Sequence, residues 1–205
     1  SQPNSTTSLD LTLDDIGPAA ASTNENVVID VAGANVSDLN ITSANDSFVV
    51  LENSGASIST INIAGSGTLS LIGALPNSIT TINAGTSSTS FTVSTGTAGA
   101  TITGSSANDV IVLGGGTNNV DSGNGNDAIT LSTGNDTVNT GSGSDTVTAS
   151  SGTNNITTGA SGDQITLSGG TNTVNSGASN DQLTISGGTN NIDTESGNDQ
   201  ITISG

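Results

Sequence analysis

Aliphatic side chains recur at a fixed interval of nine residues through the second half of the chain. Each follows an Asp or Asn by two positions, and the residues between them are mainly Gly, Ser, Thr and Asn. The aliphatic positions are Ile111, Val120, Ile129, Val138, Val147, Ile156, Ile165, Val174, Leu183, Ile192 and Ile201. Each unit therefore predicts a turn followed by a short strand. A sustained period of this kind is typical of solenoid proteins, in which a unit buries its apolar side chain only by stacking on its neighbours.

A second period of 18 residues is superimposed on the first. The residue four positions after each Asp or Asn is apolar in one series: Leu113, Leu131, Ala149, Leu167, Ile185 and Ile203. It is a hydroxyl residue in the alternate series: Ser122, Thr140, Thr158, Ser176 and Thr194. Two units therefore form one coil with two unlike strands. Such coils stack about 4.8 Å apart through parallel strand pairing. The predicted fold class is all-β, a parallel β-solenoid.

Short strands continue through the first hundred residues, but the strict period is lost. Segments 36–43, 58–65 and 78–85 share one frame, in which Asn40, Asn62 and Asn83 occupy the same place. This predicts an irregular solenoid of about 20 residues per coil that is continuous with the regular one. We assign the irregular solenoid to residues 25–104 and the regular roll to residues 105–205.

Residues 1–24 have a different pattern. Leu9, Leu11 and Leu13 alternate with polar residues, which predicts a half-buried strand, and the Gly-Pro-Ala-Ala-Ala-Ser that follows predicts a linker. The strand either caps its own solenoid or pairs with a neighbouring subunit. The chain begins without Met and ends in phase with the repeat. We interpret this as a processed product or a fragment, or as an end that stacks on another chain.

The Asp and Asn positions separate into two edges when alternate members are compared. An acidic edge carries Asp109, Asp127, Asp145, Asp163, Asp181 and Asp199, and an amide edge carries Asn118, Asp136, Asn154, Asn172 and Asn190. The formal charge is −18, with no Lys, Arg or His. Stacked carboxylates about 5 Å apart repel each other, and no side chain of this chain can offset that repulsion. Carboxylate and carbonyl oxygens suit a hard cation, above all Ca²⁺.

The turns of the acidic edge resemble a known repeat. Gly-Asn-Gly-Asn-Asp (123–127) and Gly-Ser-Gly-Ser-Asp (141–145), each followed by x-aliphatic-x, resemble the Gly-Gly-x-Gly-x-Asp-x-aliphatic-x nonapeptide of the repeats-in-toxin (RTX) family. The resemblance covers about residues 105–205. It implies a parallel β-roll with Ca²⁺ between consecutive turns of one edge. The metal-binding acids that it implies are Asp109, Asp127, Asp145, Asp163, Asp181 and Asp199, with Asp136 on the other edge. The alternative is that these are solvated turn aspartates.

Several turns depart from the family pattern. Ser105 and Glu195 replace the second glycine, and Ala107, Ser161 and Ser179 replace the third. Glycine adopts backbone angles that few other residues adopt, so the sequence leaves the geometry of these turns open. A similar segment around Asp46 makes that residue a candidate for an early half-site.

The amide edge predicts a metal-free ladder, since stacked amides can hydrogen-bond from coil to coil. Asp136 interrupts the column and is a candidate for an isolated cation site. Thr117, Thr153, Thr171 and Thr189 precede Asn residues of this edge. Rows of Thr and Asn on a β-roll resemble those of calcium-dependent ice-binding adhesins, so a recognition surface is the alternative.

Composition excludes several functions. Without Lys or Arg the chain has no group for nucleic acid phosphates or anionic membranes, and no segment predicts membrane insertion. It has no His, Cys, Lys or Tyr for nucleophilic or zinc chemistry, so we do not expect an enzyme. The regular period argues against disorder.

The favoured function is an extracellular structural protein. We expect a calcium-stabilised subunit of a self-assembling surface layer, filament or matrix, and the chain is similar to bacterial surface-layer and other secreted RTX proteins. Its partners would be copies of itself, with cell-surface polysaccharide as a second candidate. The alternatives are a segment of a calcium-dependent adhesin, including the ice-binding type, and the calcium-binding module of a secreted toxin or protease.

Overall fold

The chain forms twenty parallel strands in the computed structural model, which describes residues 8–14, 27–31, 35–52 and 57–204. The strands alternate between two ten-stranded sheets. The first sheet contains β1 (Ser8–Leu13), β3 (Asp38–Ser43), β5 (Thr60–Gly65), β7 (Thr81–Asn83), β9 (Thr101–Thr103), β11 (Asn119–Asp121), β13 (Thr137–Asn139), β15 (Thr153–Thr157), β17 (Thr171–Asn175) and β19 (Thr189–Asp193). The second contains β2 (Val27–Asp30), β4 (Ser47–Glu52), β6 (Thr68–Ala74), β8 (Ser90–Ser94), β10 (Val110–Val112), β12 (Ala128–Leu131), β14 (Thr146–Ala149), β16 (Gln164–Leu167), β18 (Gln182–Ile185) and β20 (Gln200–Ile203).

Each strand pairs in parallel with the strand two places along the chain, so the predicted parallel β-solenoid is confirmed. The coil shortens along the molecule. Asn40 pairs with Asn62 and Asn62 with Asn83, which are steps of 22 and 21 residues. The following step, from Thr81 to Thr101, is shorter by one more residue. From the pair Thr101–Asn119 onward, every step in this sheet is 18 residues. The irregular coils and the regular roll are therefore one continuous stack.

The apolar core runs along the axis between the two sheets. In the roll, each strand contributes one buried aliphatic residue to a column along the axis. Val120, Val138 and Ile156 belong to the column of the first sheet. The second sheet adds another inward residue per strand: Leu131, Ala149, Leu167 and Ile185. The first sheet instead buries Ser122, Thr140, Thr158 and Ser176. The apolar and the hydroxyl series predicted from the second period are thus both buried, one on the side of each sheet.

Strand β1 is the first strand of its sheet and pairs with β3, from Ser8–Asp38 to Leu13–Ser43. Leu13 is buried, and Leu9 and Leu11 pack against the core. In this arrangement the strand covers its own solenoid. The predicted linker at 17–22 lies outside the described residues, and pairing of this strand with a neighbouring subunit stays a prediction. None of the described residues forms a helix that is long and apolar enough to cross a membrane.

We predict a large difference between two neighbouring positions of β10. Ile111 is fully buried, whereas its neighbour Val112 faces outward and is 38% exposed. Ile111→Ala should lower the free energy of unfolding by about 2–5 kcal/mol, because it leaves a cavity in the stack. Val112→Ala should change it by within about 0.5 kcal/mol. Urea denaturation of both variants in Ca²⁺ measures this, and equal losses would contradict the inward assignment of Ile111.

Candidate metal-binding edges

The six acids of the acidic edge lie in one column, each directly before a strand of the second sheet. The backbone N–H of each donates to Oδ1 of the next. The N···O distance is 2.8 Å from Asp109 to Asp127 and from Asp127 to Asp145, and 3.0 Å from Asp181 to Asp199. All but Asp199 are at most 2% exposed. The structure therefore brings together the six acids that are alternate members of the nine-residue series.

The second carboxylate oxygen has no hydrogen-bond partner in four members of this column. These are the buried Oδ2 atoms of Asp127, Asp145, Asp163 and Asp181. A hydroxyl lies beside three of these acids, but each of these hydroxyls donates its one proton to a carbonyl of the next coil. Thr140 donates to Thr158 O, and Thr158 to Ser176 O, both at 3.0 Å. A buried, charged acceptor without a partner is costly. Because the chain has no Lys, Arg or His, the missing partner must come from solution.

The turns before these four acids share one backbone conformation. Their second and third glycine positions both have positive φ, for example 100° and 125° at Gly123 and Gly125. Ser161 and Ser179 occupy the third position of the later turns, with φ of 84° and 94°. Serine is strained in this region. The conformation is thus kept where the family's glycine is absent, which the sequence did not reveal.

Backbone carbonyls line the gaps between successive turns. A Cβ on Gly141 would lie 2.0 Å from Gly123 O, and one on Gly143 would lie 1.7 Å from Gly125 O. The turns also pair through single bridges, such as Asn124–Ser142. Among the described residues, no three acidic side chains converge on one point. A cation here would therefore take carboxylate oxygens from the column and further oxygens from turn carbonyls, which is the hard donor set that Ca²⁺ prefers. The residues fit the ion.

Four overlapping matches to a family model cover the coils that carry both edges. They cover residues 95–129, 123–156, 130–165 and 148–183, and the model describes the RTX calcium-binding nonapeptide repeat. Residues 95–183 therefore carry RTX calcium-binding nonapeptide repeats. The cofactor predicted from sequence, Ca²⁺, is the ion that these repeats bind. Neither curated proteins nor solved structures give a significant match to the chain.

The RTX repeat gives this part of the chain the character of a calcium-binding structural module. Such rolls are typically structural rather than catalytic. Ligation of the ion by Asp109, Asp127, Asp145, Asp163, Asp181, Asp199 and Asp136 in particular stays a prediction. Asp46 differs from all of these, because it is exposed and accepts a 2.7 Å hydrogen bond from Thr68 Oγ1.

The amide edge of the RTX roll carries the predicted ladder. Asn154 Nδ2 donates to Asn172 Oδ1 at 2.8 Å, and Asn172 Nδ2 to Asn190 Oδ1 at 2.7 Å. Asn118 Nδ2 donates in the same way to Asp136 Oδ1 at 2.8 Å. The next step fails, because the side chain of Asp136 has no N–H to give. Asp136 Oδ2 and Asn154 Oδ1 are both buried without a partner. The isolated acid thus leaves two acceptors without a donor at one step of the ladder.

Burial raises the pKa of the stacked acids. Loss of solvation brings the pKa of Asp109, Asp127 and Asp163 to about 6. Burial also raises the pKa of Asp145 and Asp136, against hydrogen bonds that lower it. The charges of adjacent acids add a smaller upward shift to the pKa of Asp127 and Asp163. The ionised column is therefore unfavourable in the absence of a cation.

We predict that the metal-free protein loses stability as the pH rises. A carboxyl with a raised pKa binds its proton more tightly in the folded chain than in the unfolded one. That stabilisation is complete below about pH 4 and is lost as the pH rises through about 6. Calcium-stripped protein should therefore melt at a higher temperature at about pH 4.5 than at about pH 7.5. With saturating Ca²⁺ the order should reverse, because metal binding needs the ionised carboxylate. A metal-free melting temperature that rises over this range would contradict the burial argument.

We further predict that Asp136→Asn stabilises the metal-free roll at neutral pH. The new amide can donate to Asn154 Oδ1, as Asn154 does to Asn172. The free energy of unfolding should rise by about 1–3 kcal/mol, the cost of leaving a buried acceptor unpaired. The matched control is Asn172→Asp, which breaks an intact step and should be destabilising. Chemical denaturation in chelator measures both variants. A loss of stability in Asp136→Asn would show that the ladder does not continue through this position.

Proposed function

We propose that the protein is an extracellular structural module whose coils are held together by Ca²⁺ along the acidic edge. The observation that carries this proposal is the column of four buried Oδ2 atoms without partners, in a chain of charge −18 with no basic side chain. In water, adjacent charges of this kind repel by about 1 kcal/mol, and by several kcal/mol in the protein interior. A divalent cation between turns converts this repulsion into a link between coils.

The ionic conditions outside the cell suit such a module. Extracellular calcium modules often bind in the range of about 10⁻⁴–10⁻³ M. At the low Ca²⁺ of the cytosol the acidic edge would repel itself, which would keep the roll less stable until the chain meets Ca²⁺ outside the cell. The absence of Lys and Arg also removes cleavage sites for trypsin-like proteases.

Our proposal extends to self-assembly into a surface layer, filament or matrix, with further copies of the chain as the partner. What supports this role is the repetitive architecture of the described residues, in which coil stacks on coil through parallel strands. Cell-surface polysaccharide is the second candidate partner.

A calcium-dependent adhesin is the second candidate function. Thr130, Thr148, Thr166, Thr184 and Thr202 lie in register on the outer face of the second sheet. On the amide edge, Thr153, Thr171 and Thr189 are exposed and also in register. Each row repeats with the spacing of the strands, about 4.8 Å, and offers a regular line of hydroxyls to a repetitive ligand such as ice. Ice shaping by the monomer would favour this function over assembly.

A calcium titration followed by circular dichroism and light scattering tests the proposal. We expect β-structure or its melting temperature to rise with Ca²⁺ and not with Mg²⁺, and scattering to grow as copies assemble. Asp145→Asn should reduce the calcium-induced rise in melting temperature. Asp121→Asn makes the same charge change at an exposed site and should not. Identical spectra and melting in chelator and Ca²⁺ would overturn the calcium role, and a calcium-dependent fold that stays monomeric would overturn assembly.

A further inference from the structure

Asp109 differs from the four acids that follow it in the column. Its Oδ2 accepts a 2.8 Å hydrogen bond from the backbone N–H of Ser105. Ser105 Oγ lies 3.1 Å from each carboxylate oxygen, and Phe91 N–H donates to Oδ1 at 3.0 Å. Both oxygens of Asp109 therefore have protein partners. The corresponding Oδ2 atoms of Asp127 and Asp145 have none.

The backbone of the turn explains this difference. Gly123, Gly141, Gly159 and Gly177 occupy the second glycine position of the later turns, and all have positive φ. Ser105 has the same position in its turn but does not have positive φ, and Ala107 at the third position does not either. The turn from 104 to 109 therefore bends differently. Ser105 is only 4% exposed, with its N–H and hydroxyl directed at the carboxylate.

We propose that Ser105 takes the place of a cation at Asp109 by hydrogen-bonding to its carboxylate. The calcium-binding column then begins at Asp127. This inference rests on the calcium role proposed above and narrows it to particular turns. The N–H and the hydroxyl of Ser105 satisfy the carboxylate oxygen that a solution cation would coordinate farther along the column. The turn carbonyl of Ser105 still faces the next turn, since a Cβ on Gly123 would lie 2.3 Å from Ser105 O.

This arrangement makes the junction between the two kinds of coil independent of metal. Phe91 lies in β8, a strand that pairs on one side with β6 of the irregular solenoid, and its N–H binds the first acid of the regular roll. The described N-terminal coils contain no buried carboxylate oxygen without a partner. The irregular solenoid and Asp109 therefore form a base that keeps its hydrogen bonds in chelator, and calcium acts on the coils stacked above it.

Direct measurement of bound Ca²⁺ per chain, by equilibrium dialysis of the intact protein, tests the proposal. Asp109→Asn should leave the number unchanged, whereas Asp145→Asn should lower it by one or more. Ser105→Gly restores the family's residue at this position and should add one Ca²⁺ per chain. The double variant Ser105→Gly/Asp109→Asn should return to the wild-type number.

The outcomes separate this inference from the calcium role itself. A wild-type protein that binds no Ca²⁺ overturns both. A loss of bound Ca²⁺ in Asp109→Asn, as large as that in Asp145→Asn, overturns the assignment of Ser105 while leaving the calcium role intact. An unchanged number in a folded Ser105→Gly variant overturns it as well. If Ser105→Gly does not fold, Asp109→Asn in the wild-type background decides the question.

Discussion

The repulsion among stacked carboxylates is the constraint on which this molecule depends. Parallel coils of equal length place identical residues above one another, so an Asp in one turn is next to an Asp in the next. In most proteins a Lys or Arg would offset such a column, but this chain has neither. The backbone N–H groups satisfy one oxygen of each acid, as between Asp127 and Asp145, and in the four acids from Asp127 to Asp181 the other oxygen has no partner. Under the proposed calcium role, cohesion of the roll depends on the ion concentration around it.

The two edges link successive coils through different interactions. Asn residues carry both a donor and an acceptor, so Asn154, Asn172 and Asn190 form a neutral ladder that needs nothing from solution. Asp carries only acceptors when ionised. An edge of amides can therefore hold the coils in register while the acidic edge is empty. Asp136 illustrates this difference, because the one acid among the amides breaks the ladder at its own step.

Much of this architecture is contained in the sequence. The two superimposed periods predict the parallel solenoid, its coil length and the residues that share an edge, because a regular stack converts sequence spacing directly into position. The frame shared by Asn40, Asn62 and Asn83 in the first half is also the register in which their strands pair. Backbone conformation of single turns could not be read in this way. Ser161 keeps the glycine-like turn and Ser105 abandons it, although both are serines at glycine positions.

The direction of the inner hydrogen bonds shows which oxygen of the first acid differs from those of the later acids. Asn154 donates to Asn172, and the N–H groups of the acidic edge likewise donate to the following coil. Each coil therefore provides acceptors for the coil before it. The donor to Oδ1 is a backbone N–H, and Phe91 supplies it to Asp109 as Asp109 supplies it to Asp127. What is particular to Asp109 is its Oδ2, which accepts a hydrogen bond from Ser105 of its own turn. This distinct turn lies where the step between paired strands reaches 18 residues.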